Sequence, residues 1–156
     1  MTQIQKIQTS FWIIRHKVYV FFFILKACRA LIVRGLKHDL SKFSKEEFEY
    51  VYILSTKGGG VKFGSKQYYS LVDSIMPAKL AHSSRNSHHP EYYDGKIERM
   101  THLDIIEMQC DWAAASKRSG GSLSNSMIIN SKKYNISSLM QQKLRKDMIE
   151  IGIWNS

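Results

Sequence analysis

Large apolar side chains crowd the first quarter of the chain. From about Ile4 to Arg34 no Gly or Pro interrupts them, and Gly35 follows at a position that suits a helix C-cap. The pattern predicts one long helix, buried on most sides. The run from Val18 to Phe23 would also suit a strand, but its setting in an unbroken segment without alternation favours helix. Ser44-Lys45-Glu46-Glu47 matches a capping box, in which the Ser hydroxyl and the Glu carboxylate each satisfy an orphan backbone donor, so a second helix is expected to about Leu54. Gly58-Gly59-Gly60 should break it. From Ser65 to about Arg85, Leu71, Ile75, Ala78 and His82 recur at the spacing of one helical face, so His82 is expected to look inward, with Pro77 kinking or restarting the helix. Ser83 to Gly95 reads as a polar loop carrying His88 and His89. Thr101-His102-Leu103-Asp104 starts another helix, to about Lys117. Residues 122–136 read as a Ser/Asn/Lys-rich loop before a last amphipathic helix from about Ser138 to Ile151. With no repeat and no strong strand signal the class is all-α: a single compact helical domain over residues 1–156, of about five to seven helices.

The 156 residues, 44% hydrophobic and 23% charged, suffice for one domain with a sizeable core. Twenty-three Lys and Arg against thirteen Asp and Glu leave a formal charge of +10, which makes phosphate-bearing partners more plausible than cationic ones. Cys28 and Cys110 lie far apart without metal-type spacing, so neither a disulfide scaffold nor a zinc ribbon is indicated, and a reducing cytoplasm is the natural setting. The most apolar stretch, Val18 to Leu25, is bounded by Lys17 and Lys26 and is far shorter than the roughly twenty residues a membrane span needs. The polar, Gln-rich start does not read as a signal peptide. No membrane partner is therefore expected.

The histidines change the picture. His16, His38-Asp39, His82 and His88-His89, followed by Glu107 and Asp111, combine imidazole nitrogens with carboxylate oxygens, a ligand set for Mn, Fe, Co, Ni or Zn rather than for calcium. Each has an alternative reading. Asp39 or Ser41 could simply cap a helix with Lys42 solvated; if the turn is helical, Lys42 falls on nearly the same side as the His-Asp pair and could hold a phosphate against a metal. His82 and His16 could be core histidines bonded to carbonyls. Glu107 and Asp111 are four apart on a helix whose Leu103, Cys110 and Ala114 are expected to face the same side, so one or both carboxylates point toward the core and need a cation, either a metal or a Lys or Arg side chain. A shared metal would satisfy all of these groups at once. Trp112 would be wall rather than catalyst.

The ordered set His16, His38-Asp39-Leu40-Ser41-Lys42, His82, His88-His89 with Glu91, and Asp111 resembles the HD-domain phosphohydrolase superfamily, over the span from His16 to Arg118. His88-His89-Pro90-Glu91-Tyr92-Tyr93-Asp94-Gly95 is similar to the His-His-Glu segment and Asp-Gly of its HD-GYP branch. Asn86-x-His-His and Glu107-x-x-Cys-Asp-Trp are phrases shared with small uncharacterised HD-like proteins. The resemblance implies that His16, His38, Asp39 and Asp111 are the basic ligands of one or two divalent transition metal ions, with His82, His88 and His89 as the extra ligands of two-metal members. It also implies that Lys42 contacts phosphate. Lys96-Ile97-Glu98 stands where the Gly-Tyr-Pro signature would be, so cleavage of a cyclic dinucleotide is not implied, and Glu107 could take the place of Asp111.

The resulting expectation is a cytoplasmic metal-dependent phosphohydrolase, a phosphomonoesterase or phosphodiesterase acting on a nucleotide or similar small anionic phosphate. Asp39 and Lys42 would be central to catalysis, and Arg85, His89, Glu91 and Arg118 would be candidates for substrate contact or leaving-group protonation. Lys57, Lys62 and Lys66 could attract nucleic acid, which ranks below small nucleotides. The competing expectation is a basic, non-enzymatic helical module that binds nucleic acid or protein around a structural or degenerate metal site, with Phe21, Phe22 and Phe23 offering a homodimer interface.

Overall fold

The computed structural model describes residues 1–57, 61 and 66–154. The triple glycine and Lys62 lie outside the described residues, as does the side chain of Lys57. The protein is all-α: among the described residues there are six α-helices and no strand. They are α1 (Gln3–Lys37), α2 (Lys45–Lys57), α3 (Lys66–Arg85), α4 (His102–Arg118), α5 (Leu123–Lys133) and α6 (Ser138–Glu150), with 3-10 turns at Leu40–Phe43, Pro90–Tyr93 and Ile97–Arg99. The chain divides into two compact units, Met1–His38 and Asp39–Ser156.

The first unit is α1. It begins with a complete capping box, Thr2 accepting from the Gln5 amide and the Gln5 side chain accepting from the Thr2 amide. Gly35 does not end it. The helix runs on to Lys37, because the break comes where His38 turns extended and Asp39 enters the left-handed region at φ 56°, a conformation Asp tolerates better than most residues. The expectation of burial on most sides is overturned, since no residue of α1 is buried. Helical length came from the absence of breakers, whereas burial needs a partner surface that periodicity cannot supply.

In the second unit α2 packs on α3, and α4 on α5. Pro77 sits inside an unbroken α3, and that helix buries Ile75 and His82 as its periodicity predicts. The main core is formed by Met108 and Trp112 of α4, Met127 of α5, Leu144 and Met148 of α6, and Ile97. Leu144 and Met148 are fully buried, and Gln109 Nε2 ties α4 to α6 by donating to the Leu144 carbonyl at 3.0 Å. Residues 122–136, expected to be loop, are mostly α5, capped by the Ser122 hydroxyl. Their polar composition reflects a helix that buries only Met127 and Ser131, not a lack of helix. The inward face of α4 lies nearly opposite the expected one: Cys110 and Ala114 are exposed, while Ile105, Met108, Gln109 and Trp112 are buried.

Candidate metal centre

Four elements of the second unit converge on one polar cluster. Asp39 precedes the 3-10 turn Leu40–Phe43, Glu47 lies in the first turn of α2, His82 in the last turn of α3, and His88-His89 on the turn that follows α3. Each position has a local cause. The Asp39 side chain makes no cap hydrogen bond to its own turn and instead pairs with the Lys42 ammonium, so the capping alternative does not hold. Thr101 and Asp104 form a reciprocal capping box at the start of α4. The Asp104 carboxylate also accepts from Ser87 Oγ at 2.6 Å and from the Tyr93 hydroxyl at 2.8 Å, which fastens the His88-His89 turn to the α4 N-terminus.

One ligand atom from each of Asp39, His82, His88 and His89 lies within 4.8 Å of every other. Asp39 Oδ1 is 3.1 Å from His82 Nε2 and 3.4 Å from His88 Nε2. The opposite nitrogens of these two rings rest on carboxylates: His82 Nδ1 is 2.7 Å from Glu47 Oε2, and His88 Nδ1 is 3.3 Å from Glu107 Oε1. A carboxylate at Nδ1 favours the tautomer with the proton there, which leaves Nε2 as a lone-pair donor aimed at the cluster. His89 packs 4.2 Å from His88 and 4.9 Å from His82, centroid to centroid, and its buried Nε2 makes no hydrogen bond among the described residues.

Electrostatics separate His89 from His82. Burial, and then the neighbouring His88 and His82, push His89 down to about 4, so its imidazole is neutral at physiological pH. Burial also pulls His82 down, but the Asp39 and Glu47 carboxylates outweigh it and the net shift is upward. Tyr50, 6.4 Å from His82, is pushed up to about 12 by burial and by the charges of Asp39 and Glu47. His82 and Tyr50 thus register the buried negative charge of Asp39 and Glu47, which a cation would balance. Three nitrogen donors and one carboxylate oxygen suit a first-row transition metal. The unbonded, neutral His89 Nε2 fits such a ligand better than a structural histidine, whose nitrogens would be satisfied.

The remaining candidates fall in several places. Glu107 lies behind His88, where an orienting carboxylate belongs. Asp111 acts on His89 and Tyr50 through its charge. Glu91 Oε1 takes Lys133 Nζ at 2.6 Å and the Tyr134 hydroxyl at 2.8 Å; burial raises its pKa, but these two bonds outweigh it and hold the carboxyl below the usual range. Arg85 is exposed, 3.5 Å from Glu46, and Arg118 ends α4, where its charge opposes the rise at Tyr50. In the first unit, His16 is exposed and stacks on Trp12 at 6.0 Å, and His38 is the residue before Asp39.

Sequence reasoning missed Glu47, Tyr50, Lys133 and Tyr134. Glu47 was assigned to the capping box, but only half of that box forms: Ser44 Oγ accepts from the Glu47 amide at 3.3 Å, while the carboxylate goes to Ser41 Oγ and His82. The available signal was phase, because Glu47 shares a helical face with Tyr50 and Val51 three and four residues on. It is 2% exposed, too buried for a surface cap.

No curated protein and no solved structure matches the chain. A family model does match, over residues 5–151. With nearly its whole length covered, the chain belongs to the family described as "Family of unknown function (DUF5662)".

Proposed function

We propose that the protein is a metal-dependent phosphohydrolase acting on a nucleotide or similar small anionic phosphate. The observation that carries the reading is the convergence of Asp39, His82, His88 and His89, with Glu47 and Glu107 behind two of the rings. A divalent transition metal held there would supply a hydroxide nucleophile near neutral pH and positive charge for the phosphoryl oxygens. Asp111 enters as a further ligand on the resemblance to HD-type phosphohydrolases.

The chain's own groups divide the rest of the work. Glu47 and Glu107 keep His82 and His88 in the tautomer that turns Nε2 inward. Lys42, on the Asp39 carboxylate and 31% exposed at its side chain, is the cation suited to neutralise a phosphoryl oxygen. Glu91, held ionised by Lys133 and Tyr134, is a poor proton donor and serves instead to anchor Lys133 beside the turn that carries His89. The charge of +10 favours an anionic substrate.

The test joins elemental analysis of the purified protein to hydrolysis of chromogenic phosphomonoesters and phosphodiesters with Mn²⁺, Ni²⁺, Co²⁺ and Mg²⁺. Asp39→Asn should abolish both metal uptake and hydrolysis while far-UV circular dichroism is preserved. Failure of the wild-type protein to take up any of these metals, or uptake and turnover indifferent to Asp39→Asn, would overturn the reading and leave the binding-module alternative.

A further inference from the structure

The helix α1 forms a unit of its own, none of its residues is buried, and its 35 residues make a rod about 50 Å long. Residues 1–38 carry seven Lys and Arg and no Asp or Glu; the first acid in the chain is Asp39. At about 100° per residue, Ile7, Ile14, Val18, Phe21, Leu25 and Ile32 fall within one arc about 60° wide. All six are 44–63% exposed. Lys6 and Lys17 border that arc on one side, Arg15, Lys26 and Arg29 on the other. An exposed apolar stripe of this length marks a contact surface, and cations along both margins can lay their stems on an apolar phase while their heads stay in water.

We propose that α1 is a membrane-surface helix. It lies in the plane of an anionic bilayer, with the Ile7–Ile32 arc at the acyl boundary and the flanking Lys and Arg on lipid phosphates. Charge selects this occupant over a second copy of the chain, which would set seven cations against seven with no acid on either helix. No described helix is long and apolar enough to cross a membrane, so α1 lies along the surface. The expectation of no membrane partner came from the shortness of the apolar run, a criterion for crossing a bilayer that does not bear on lying along one. Ile13, Val20 and Ile24 form a second exposed apolar arc, so the test also reads self-association.

The experiment is flotation of the full chain with vesicles of phosphatidylcholine alone or with about 30% phosphatidylserine, at low and high salt. Partitioning onto the anionic vesicles is expected. It should weaken with salt, fall about fivefold for each of Lys26→Gln and Arg29→Gln, and be lost in Phe21→Glu. Circular dichroism checks that the variants fold, and the salt dependence tests the proposal on the wild-type chain itself. Three results would overturn it: no binding to anionic vesicles, equal and salt-independent binding to both kinds, or a concentration-dependent dimer in sedimentation that Phe21→Glu dissolves. None of these depends on the metal site.

Discussion

Replacing Glu47 by Gln tests the architecture of the candidate metal centre where it is most specific. The carboxylate is 2% exposed and takes His82 Nδ1 at 2.7 Å and Ser41 Oγ at 2.8 Å. Glutamine keeps the shape and can still accept one bond through its carbonyl oxygen, so the fold survives. The negative charge that makes His82 a better donor is lost. Partners behind a ligating histidine typically account for about a 10- to 100-fold change in metal affinity, which is about 1.4 to 2.7 kcal/mol. In the metal-free protein the same carboxylate helps raise His82, so a proton competes with the metal for that ring. Removing Glu47 weakens the competition as well as the ligand. Affinities should therefore be compared at about pH 8.5, where protons compete least. Competition titration of wild type and Glu47→Gln with Mn²⁺, Co²⁺ and Zn²⁺ gives the number. An affinity within about threefold of wild type would show that Glu47 is a buried polar contact and not an orienting partner, and would refute the reasoning.

Two further predictions address the fold and the pH response. Leu144→Ala, at a fully buried position of α6, should cost about 2 to 5 kcal/mol in denaturant unfolding, and a loss below about 1 kcal/mol would mean that the core is not centred there. His89 is held neutral down to about 4 against an ordinary value near 6.5, so the unfolded chain binds the extra proton in that window. Stability of chelator-treated protein should fall as pH drops from about 6.5 towards 4, and His89→Gln should flatten this limb, since the raised His82 adds its stability in full below about 6.5 and loses it only as pH rises above that; an unchanged acid limb in His89→Gln would count against the buried, neutral ring.

The helices were written locally. Breaker-free length from Ile4 to Arg34, the Thr101–Asp104 cap and the apolar phase of α3 each act over a few residues, and the structure contains all three. Periodicity even turned His82 inward, because a helical face is a property of spacing alone. The helix α5 escaped notice, since a segment that buries only two residues carries almost no apolar period. The candidate ligands were legible as residue types, and the chain itself orders Asp39, His82, His88 and His89.

What only the tertiary structure decided was which atoms meet. Glu47 read as a cap because sequence shows the nearest backbone donor and not a histidine thirty-five residues away. Glu91 read as a possible acid because Lys133 and Tyr134, more than forty residues on, are brought to it by a helix the sequence hid. Burial of α1 was predicted from hydrophobicity and is absent, for hydrophobicity states what a side chain avoids and not what is available to cover it. Local rules therefore determined the helices and the stock of ligand types, while the pairing of carboxylates with rings depended on long-range packing, which has no signature in the spacing of residues along a single chain.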